Sequence, residues 1–333
     1  MSITVDLNIV ITYSLSILVF MHSYKFRGLF KSLLLFLGAV VVGGGVENAN
    51  SLLGGYHYPG SDLTIFMVDC PFDVVLGWYV LIYCCTFMSH TIIGKGKGSL
   101  QSIGIGTDPE NGVDKSFIKL AILRGMLAGL FAVLIDLLID PVAVENKWWV
   151  WEIHNIYIQG VPLGNYIGWW MLISTSAIFY DIIVTYGSLK NKERYKTAAM
   201  WCGGTIAAAL ITGGILSQLV LLFSMDGIRT EGLGTNDLAT QLAMADWGRV
   251  FLALIAVLVG LGLIMLASFA PDNANPLEGK FWNAFPSILM IIFWAMVMVV
   301  AFLTGPIFIL IGFTQGFIIV LISLYLILKT YRD

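Results

Sequence analysis

Charge is scarce in this sequence. Of its 333 residues only 12% are Asp, Glu, Lys or Arg, about half the share found in soluble domains. With 58% hydrophobic residues and a mean hydropathy of +0.86, a soluble globular fold is excluded. Cysteine is scarce as well. Cys70, Cys84, Cys85 and Cys202 form no CxxC pair and three of them sit inside apolar runs, so a disulfide framework or a zinc site is not indicated. They read as small apolar fillers in helices. A basic surface is also missing: 18 Lys and Arg face 21 Asp and Glu, for a net charge of -3, which argues against a nucleic-acid partner. No P-loop, GxSxG or strand-linked GxGxxG motif occurs.

What the chain has is long apolar runs separated by short polar clusters. A crossing helix needs roughly 20 apolar residues, because the hydrocarbon core is about 30 Å thick. Runs of that kind lie near 5–23, 28–46, 66–89, 117–139, 164–187, 197–224, 248–270, 281–303 and 306–328. The expected fold is an all-α, polytopic membrane bundle of nine helices, or eight if Thr304-Gly305-Pro306 marks a kink rather than a tight turn. No repeat or low-complexity linker divides residues 1–333, which read as a single membrane domain. The first segment lacks a cationic leader and reads as a retained helix.

Cations are retained on the cytoplasmic side of membranes. Lys25, Arg27, Lys31, Lys95, Lys97, Lys115, Lys119, Lys190, Lys192, Arg194, Lys196, Lys280, Lys329 and Arg332 fall on one side of a nine-span topology. Lys147, Arg229 and Arg249 fall on the other. The amino terminus is therefore expected outside and the carboxyl terminus in the cytoplasm of a multi-pass protein of the cell membrane.

Ionisable groups inside a bilayer cost several kcal/mol unless paired or hydrated, so their positions carry information. Glu47 closes the second run after Gly43-Gly44-Gly45, Asp69 and Asp73 open the third, and Asp136 and Asp140 close the fourth before Pro141. All five are expected at the outer level, each Asp pair spaced i, i+4 on one helix face. Like charges in a low dielectric favour keeping some of them protonated, and a protonated carboxyl group in an apolar cavity is a proton donor. Two plainer readings stand beside this: Asp69 as a helix N-cap and Asp140-Pro141 as a helix end.

Aromatic residues crowd the loops at the same level: Tyr56, His57 and Tyr58, then Trp148, Trp149, Trp151, His154, Tyr157, Tyr166, Trp169 and Trp170. An interfacial belt accounts for some of these rings. The remainder could line a cavity for an extended apolar molecule, and their faces would stabilise a cation. Arg124 and Asp181, at similar depth on consecutive helices, are expected to form a structural ion pair. His22, His57, His90 and His154 show no metal-ligand spacing.

Taken together, Glu47-x8-Tyr56-His57-Tyr58, Asp136-x3-Asp140-Pro141, Trp149-x-Trp151 and Val161-Pro162-Leu163-Gly164-Asn165-Tyr166-Ile167-Gly168-Trp169-Trp170 resemble the CruF-type carotenoid biosynthesis family. Its members include carotenoid 1,2-hydratases and bisanhydrobacterioruberin hydratase. The resemblance covers roughly residues 40–190, the family-like catalytic portion, with 197–328 as additional transmembrane helices. It implies addition of water to the terminal double bond of an acyclic carotenoid without a redox cofactor. Protonation of such a bond leaves a tertiary cation that water captures, which requires a placed acid and an apolar pocket. On that reading Asp136 or Glu47 donates the proton and Asp140 or Asp69 orients water. Tyr56, Tyr58, Trp148, Trp151, Trp169 and Asn165 bind the end group. The partners are then membrane lipid and the carotenoid.

Two other readings compete. An intramembrane prenyltransferase would use two Asp-x3-Asp pairs to hold magnesium diphosphate, but cations for the phosphates are nearly absent from that side. A transporter or a structural subunit of a membrane complex would use the glycine-rich span ends for close packing or motion.

Overall fold

A backbone in hydrocarbon must satisfy its own amides, and a helix does so within one segment. The computed structural model describes residues 2–52, 55–93, 115–152, 157–189, 193–225, 247–271, 280–305, 307, 310, 314 and 316–332. They form eight helices: α1 (Ser2–Leu52), α2 (Phe72–Ile93), α3 (Lys115–Glu145), α4 (Leu163–Leu189), α5 (Arg194–Met225), α6 (Trp247–Ala267), α7 (Lys280–Thr304) and α8 (Phe317–Arg332). Seven of them are long and apolar enough to cross a membrane. The chain is a multi-pass helical membrane protein.

α1 is two crossings in one. Gly28 sits at φ 77° and ψ 165°, a conformation open mainly to glycine. There the helix doubles back, so that Ser23 Oγ meets Ser32 Oγ at 2.8 Å and the Phe20 and Phe36 rings lie 5.8 Å apart. The two arms of α1 with α2 to α8 account for the nine expected runs. α7 and α8 run antiparallel, so the chain reverses after Thr304 rather than continuing as one kinked helix; Pro306 lies outside the described residues. Lys280 Nζ donates to the Tyr331 carbonyl at 2.7 Å, and Trp294 stacks near Phe317 at 6.1 Å, pairs that only an antiparallel α7 and α8 can make.

Charge separates along the bundle axis. Arg27, Arg124, Arg194, Lys280 and Lys329 occupy the end where α1 turns. Glu47, Asp73, Asp136 and Asp140 lie towards the opposite end, together with three two-stranded antiparallel ladders. These are β1 (Tyr56–His57) with β4 (Val150–Trp151), β2 (Phe66–Met67) with β3 (Cys70–Pro71), and β5 (Tyr157–Ile158) with β6 (Val161–Pro162). Residues 95–114 and 226–246, which include Lys95, Lys97 and Arg229, lie outside the described residues.

The helices that carry the site are pressed together by glycine. A Cβ on Gly129 of α3 would stand 2.5 Å from the Trp170 carbonyl oxygen and collide with Ser174 Oγ on α4, and one on Gly125 would stand 2.8 Å from the Ser174 carbonyl. Backbone cannot yield as a side-chain tip can. Gly203 of α5 has nothing within 4 Å of that position. Gly129→Ala should therefore destabilise the detergent-purified protein by about 1–3 kcal/mol. Gly203→Ala should leave it unchanged or more stable by up to about 1 kcal/mol. Thermal unfolding of the two variants measures the difference, and equal midpoints would contradict the tight α3–α4 contact.

Candidate functional site

Glu47 is the best-anchored acid of the bundle. Its Oε2 accepts from the Tyr56 and Tyr58 hydroxyls, the latter at 2.6 Å, and its Oε1 accepts from Trp78 Nε1 at 2.8 Å. The Gly43-Gly44-Gly45 run explains how α2 comes so near: a Cβ on Gly43 would lie 2.8 Å from the Trp78 side chain. Both carboxylate oxygens are thus occupied by donors, the arrangement of an acceptor rather than of an acid about to release a proton. Burial, with the Glu47 charge next, pushes the Tyr56 and Tyr58 hydroxyls well above the ordinary phenol range, so both remain donors.

Asp136 and Asp140 face a different partner. On α3, separated by one turn, both are fully buried, and the Nδ2 of Asn165 at the start of α4 donates to each, to Asp136 at 3.1 Å and more closely to Asp140. The remaining Oδ1 of each acid is buried without a hydrogen-bond partner. α3 does not end at Asp140 but runs through Pro141 to Glu145, so these acids lie within a helix and not at its frayed terminus.

Between Glu47 and Asp140 lies a cavity of about 80 Å³, lined also by Tyr58, Asp73, Trp148 and Trp169. That is several times the space one water requires. The Trp78 and Trp169 rings meet at 4.8 Å and Tyr56 meets Trp151 at 4.8 Å, closing the walls with aromatic faces. A second cavity of about 110 Å³ lies against the same wall and shares Glu47, Tyr56, Trp78, Trp151, Asn165 and Trp169 with the first. Trp151 Nε1 is buried without a partner.

Two expectations are corrected. Asp69 does not stack on Asp73 and does not line the chamber. It lies in the β2–β3 turn, where Val68 has φ 69° and Asn48 Oδ1 accepts from the Asp69 and Cys70 amides. The turn aims its carboxylate at Arg249 of α6, 2.8 Å away in a half-open ion pair. Because α2 begins only at Phe72, the i, i+4 spacing has no helix to act through. Asp73 takes its place at the cavity, with Asn8 Nδ2 3.3 Å from its Oδ2. The Arg124–Asp181 ion pair is also not made: Asp181 Oδ2 is bound by His90 Nε2 at 2.6 Å, while Nε and Nη1 of Arg124 have no hydrogen-bond partner. His90, near the end of α2, takes the place expected for Arg124.

The sequence reading assigned no role to Trp78, Asn48 or Asn8. Trp78 and Asn8 sit beside apolar runs and Asn48 among the polar residues that follow Glu47, and only the glycines one turn before Glu47 hinted that a bulky donor would approach. His57 turns outward to Glu152 at 2.7 Å, and His154 lies outside the described residues. Among the described residues no three His, Cys, Asp or Glu stand close enough to hold a metal ion.

A family model described as carotenoid biosynthesis protein matches residues 7–225, from the first arm of α1 through α5. Bisanhydrobacterioruberin hydratase of Haloarcula japonica is 30% identical over 82 residues, which cover 25% of this chain and 27% of that protein. The chain thus matches about a quarter of that relative's length. No solved structure matches it.

Loss of one ring donor to Glu47, in Tyr58→Phe or Trp78→Phe, should destabilise the protein by about 1–3 kcal/mol, since the buried carboxylate loses one of its three fixed donors. Asp69→Asn should cost at most about 1 kcal/mol, because its ion pair is open to solvent. Chemical denaturation in mild detergent would compare them, and an Asp69 variant as damaging as the other two would refute the placement.

Proposed function

The chain belongs to the carotenoid biosynthesis protein family, and from that premise we propose that it hydrates the terminal double bond of an acyclic carotenoid at the chamber between Glu47 and Asp140. The observation that supports this reading best is the Asp136–Asp140 pair, buried, bridged by Asn165 and in no ion pair among the described residues, with Asp140 opening onto aromatic walls. Water adds to a trisubstituted alkene only after a proton arrives at its less substituted carbon, and that step needs an acid held out of bulk water.

Asp140, which faces the cavity, donates the proton, and its conjugate base is held by Asn165. The alkene π pair takes that proton and leaves a tertiary cation at the terminal carbon. Trp148, Trp151 and Trp169 present faces to the cation, and the Glu47 carboxylate, fixed by its three donors, offsets its charge. A water in the chamber attacks the cation through oxygen and returns a proton to the Asp136–Asp140 pair, so the acid is restored and the product is a tertiary alcohol. This assigns Glu47 to charge stabilisation rather than to proton donation. Only the end group needs to enter, and the polyene remains among apolar side chains and lipid. The cationic residues at the far end of the bundle support an outward-facing chamber by the positive-inside rule.

Expression in a host that accumulates lycopene, followed by mass analysis of the pigments, is the test. The wild-type protein should add the elements of one water per reacted end. Asp140→Asn and Asp136→Asn should lower that rate by about 100-fold or more. Glu47→Gln should also be impaired while the protein still inserts, and Asp69→Asn should retain activity. An unchanged pigment with wild-type protein, or full activity in Asp140→Asn, would overturn the assignment.

A further inference from the structure

Three helical turns before Asp136, roughly 18 Å along α3, a second buried cluster has charges that do not balance. Arg27, next to the α1 turn, is 3% exposed, and Arg124 is 4% exposed. A guanidinium keeps its charge in any protein setting. Among the described residues, Asp181 is the one carboxylate within electrostatic reach of either, and its Oδ2 already accepts from His90 at 2.6 Å. The rings of Tyr83 and Tyr180 lie 5.2 and 5.3 Å from the Arg27 guanidinium, which softens its burial without neutralising it.

The hydrogen-bonding record is equally uneven. Nε and Nη2 of Arg27, Nε and Nη1 of Arg124, and Nδ1 of His90 are all buried with no partner. Arg194, half-buried at the start of α5, adds its Nε and Nη2, with its guanidinium 4.2 Å over the ring of Phe30, which lies just past the Gly28 reversal from Arg27. Lys119 and Lys196 are exposed at this same end. Unmet donors on a buried cation cost more than unmet neutral ones. Planar guanidinium forks arriving from separate helices suit an anion with several oxygens on one centre.

We propose that Arg27 and Arg124, with Arg194 at the rim, form a binding site for a phosphate-bearing anion. It stands apart from the carotenoid chamber and on different residues. Its occupant supplies the second negative charge that two arginines and one aspartate lack, and it ties α1, α3 and α5 together. Asp181 makes no direct bond to either guanidinium group, but its charge reaches both and so opposes a second anion beside it. Either free phosphate or the phosphodiester of an anionic lipid has this chemistry.

The full-length protein distinguishes them. Its thermal midpoint is measured in detergent with inorganic phosphate titrated against chloride at constant ionic strength. A second measurement compares nanodiscs of phosphatidylglycerol with nanodiscs of phosphatidylcholine. A saturable rise with phosphate identifies the free anion, and a rise in phosphatidylglycerol alone identifies the headgroup. Arg124→Gln and Arg194→Gln should weaken the effect by ~10-fold or more. Asp181→Asn should strengthen it, which a purely structural ion pair would not do. Should Arg124→Gln fail to insert, Arg194→Gln and Asp181→Asn decide the matter on their own. A wild-type midpoint indifferent to phosphate and to lipid charge, or a response identical in wild type and variants, would overturn the proposal.

Discussion

The Nδ2 of Asn165 reaches two carboxyl groups that sit one turn apart on α3, neither of them in an ion pair among the described residues. Hydrocarbon makes that arrangement expensive, so the acids can occupy it only where a donor is delivered to both at once. The delivery depends on how near α4 lies to α3. Gly125 and Gly129 remove the side chains that would hold the two backbones apart. The β5–β6 turn then feeds directly into the first residues of α4, so Asn165 enters at the right height. Packing, connection and chemistry converge on one amide.

Much of this architecture could be read before any coordinates. Crossing helices follow from apolar length, and the bundle matches the runs because lipid leaves the backbone few alternatives. Gly28 and Gly305 mark the two helical hairpins, since each takes a positive φ where the chain reverses. At the site, Glu47, Asp136 and Asp140 were visible as acids in apolar surroundings, Tyr56 and Tyr58 as aromatics in an adjoining loop, and Asn165 only through the family resemblance. Asp69 misled because i, i+4 spacing carries meaning only inside a helix, and the helix starts three residues later, at Phe72. Arg124 and Asp181 misled for a related reason. Similar depth on consecutive helices sets height but not azimuth, and His90 from a third helix stood closer.

The two ends of the bundle solve opposite electrostatic problems. At one, carboxyl groups outnumber cations and are held by neutral donors: a carboxamide, two phenols and an indole. At the other, guanidinium groups outnumber carboxylates and lean on aromatic faces. Neither end uses simple pairing of opposite charges as its main device. In a low dielectric, neutral donors and ring faces hold a charge in place while leaving it able to respond to whatever enters beside it.

The pairing of Tyr56 with Trp151 links the segment after α1 to the segment after α3 through backbone hydrogen bonds. Gly55 extends that link, its carbonyl accepting from the Glu152 amide at 3.1 Å. The aromatic cover of the chamber is therefore tied across two segments, one following each helix. Displacing either segment would carry the other with it or break the ladder between them. Tyr56 and Tyr58, which grip Glu47, belong to the same cover, so displacing it would also strip two donors from the acid beneath.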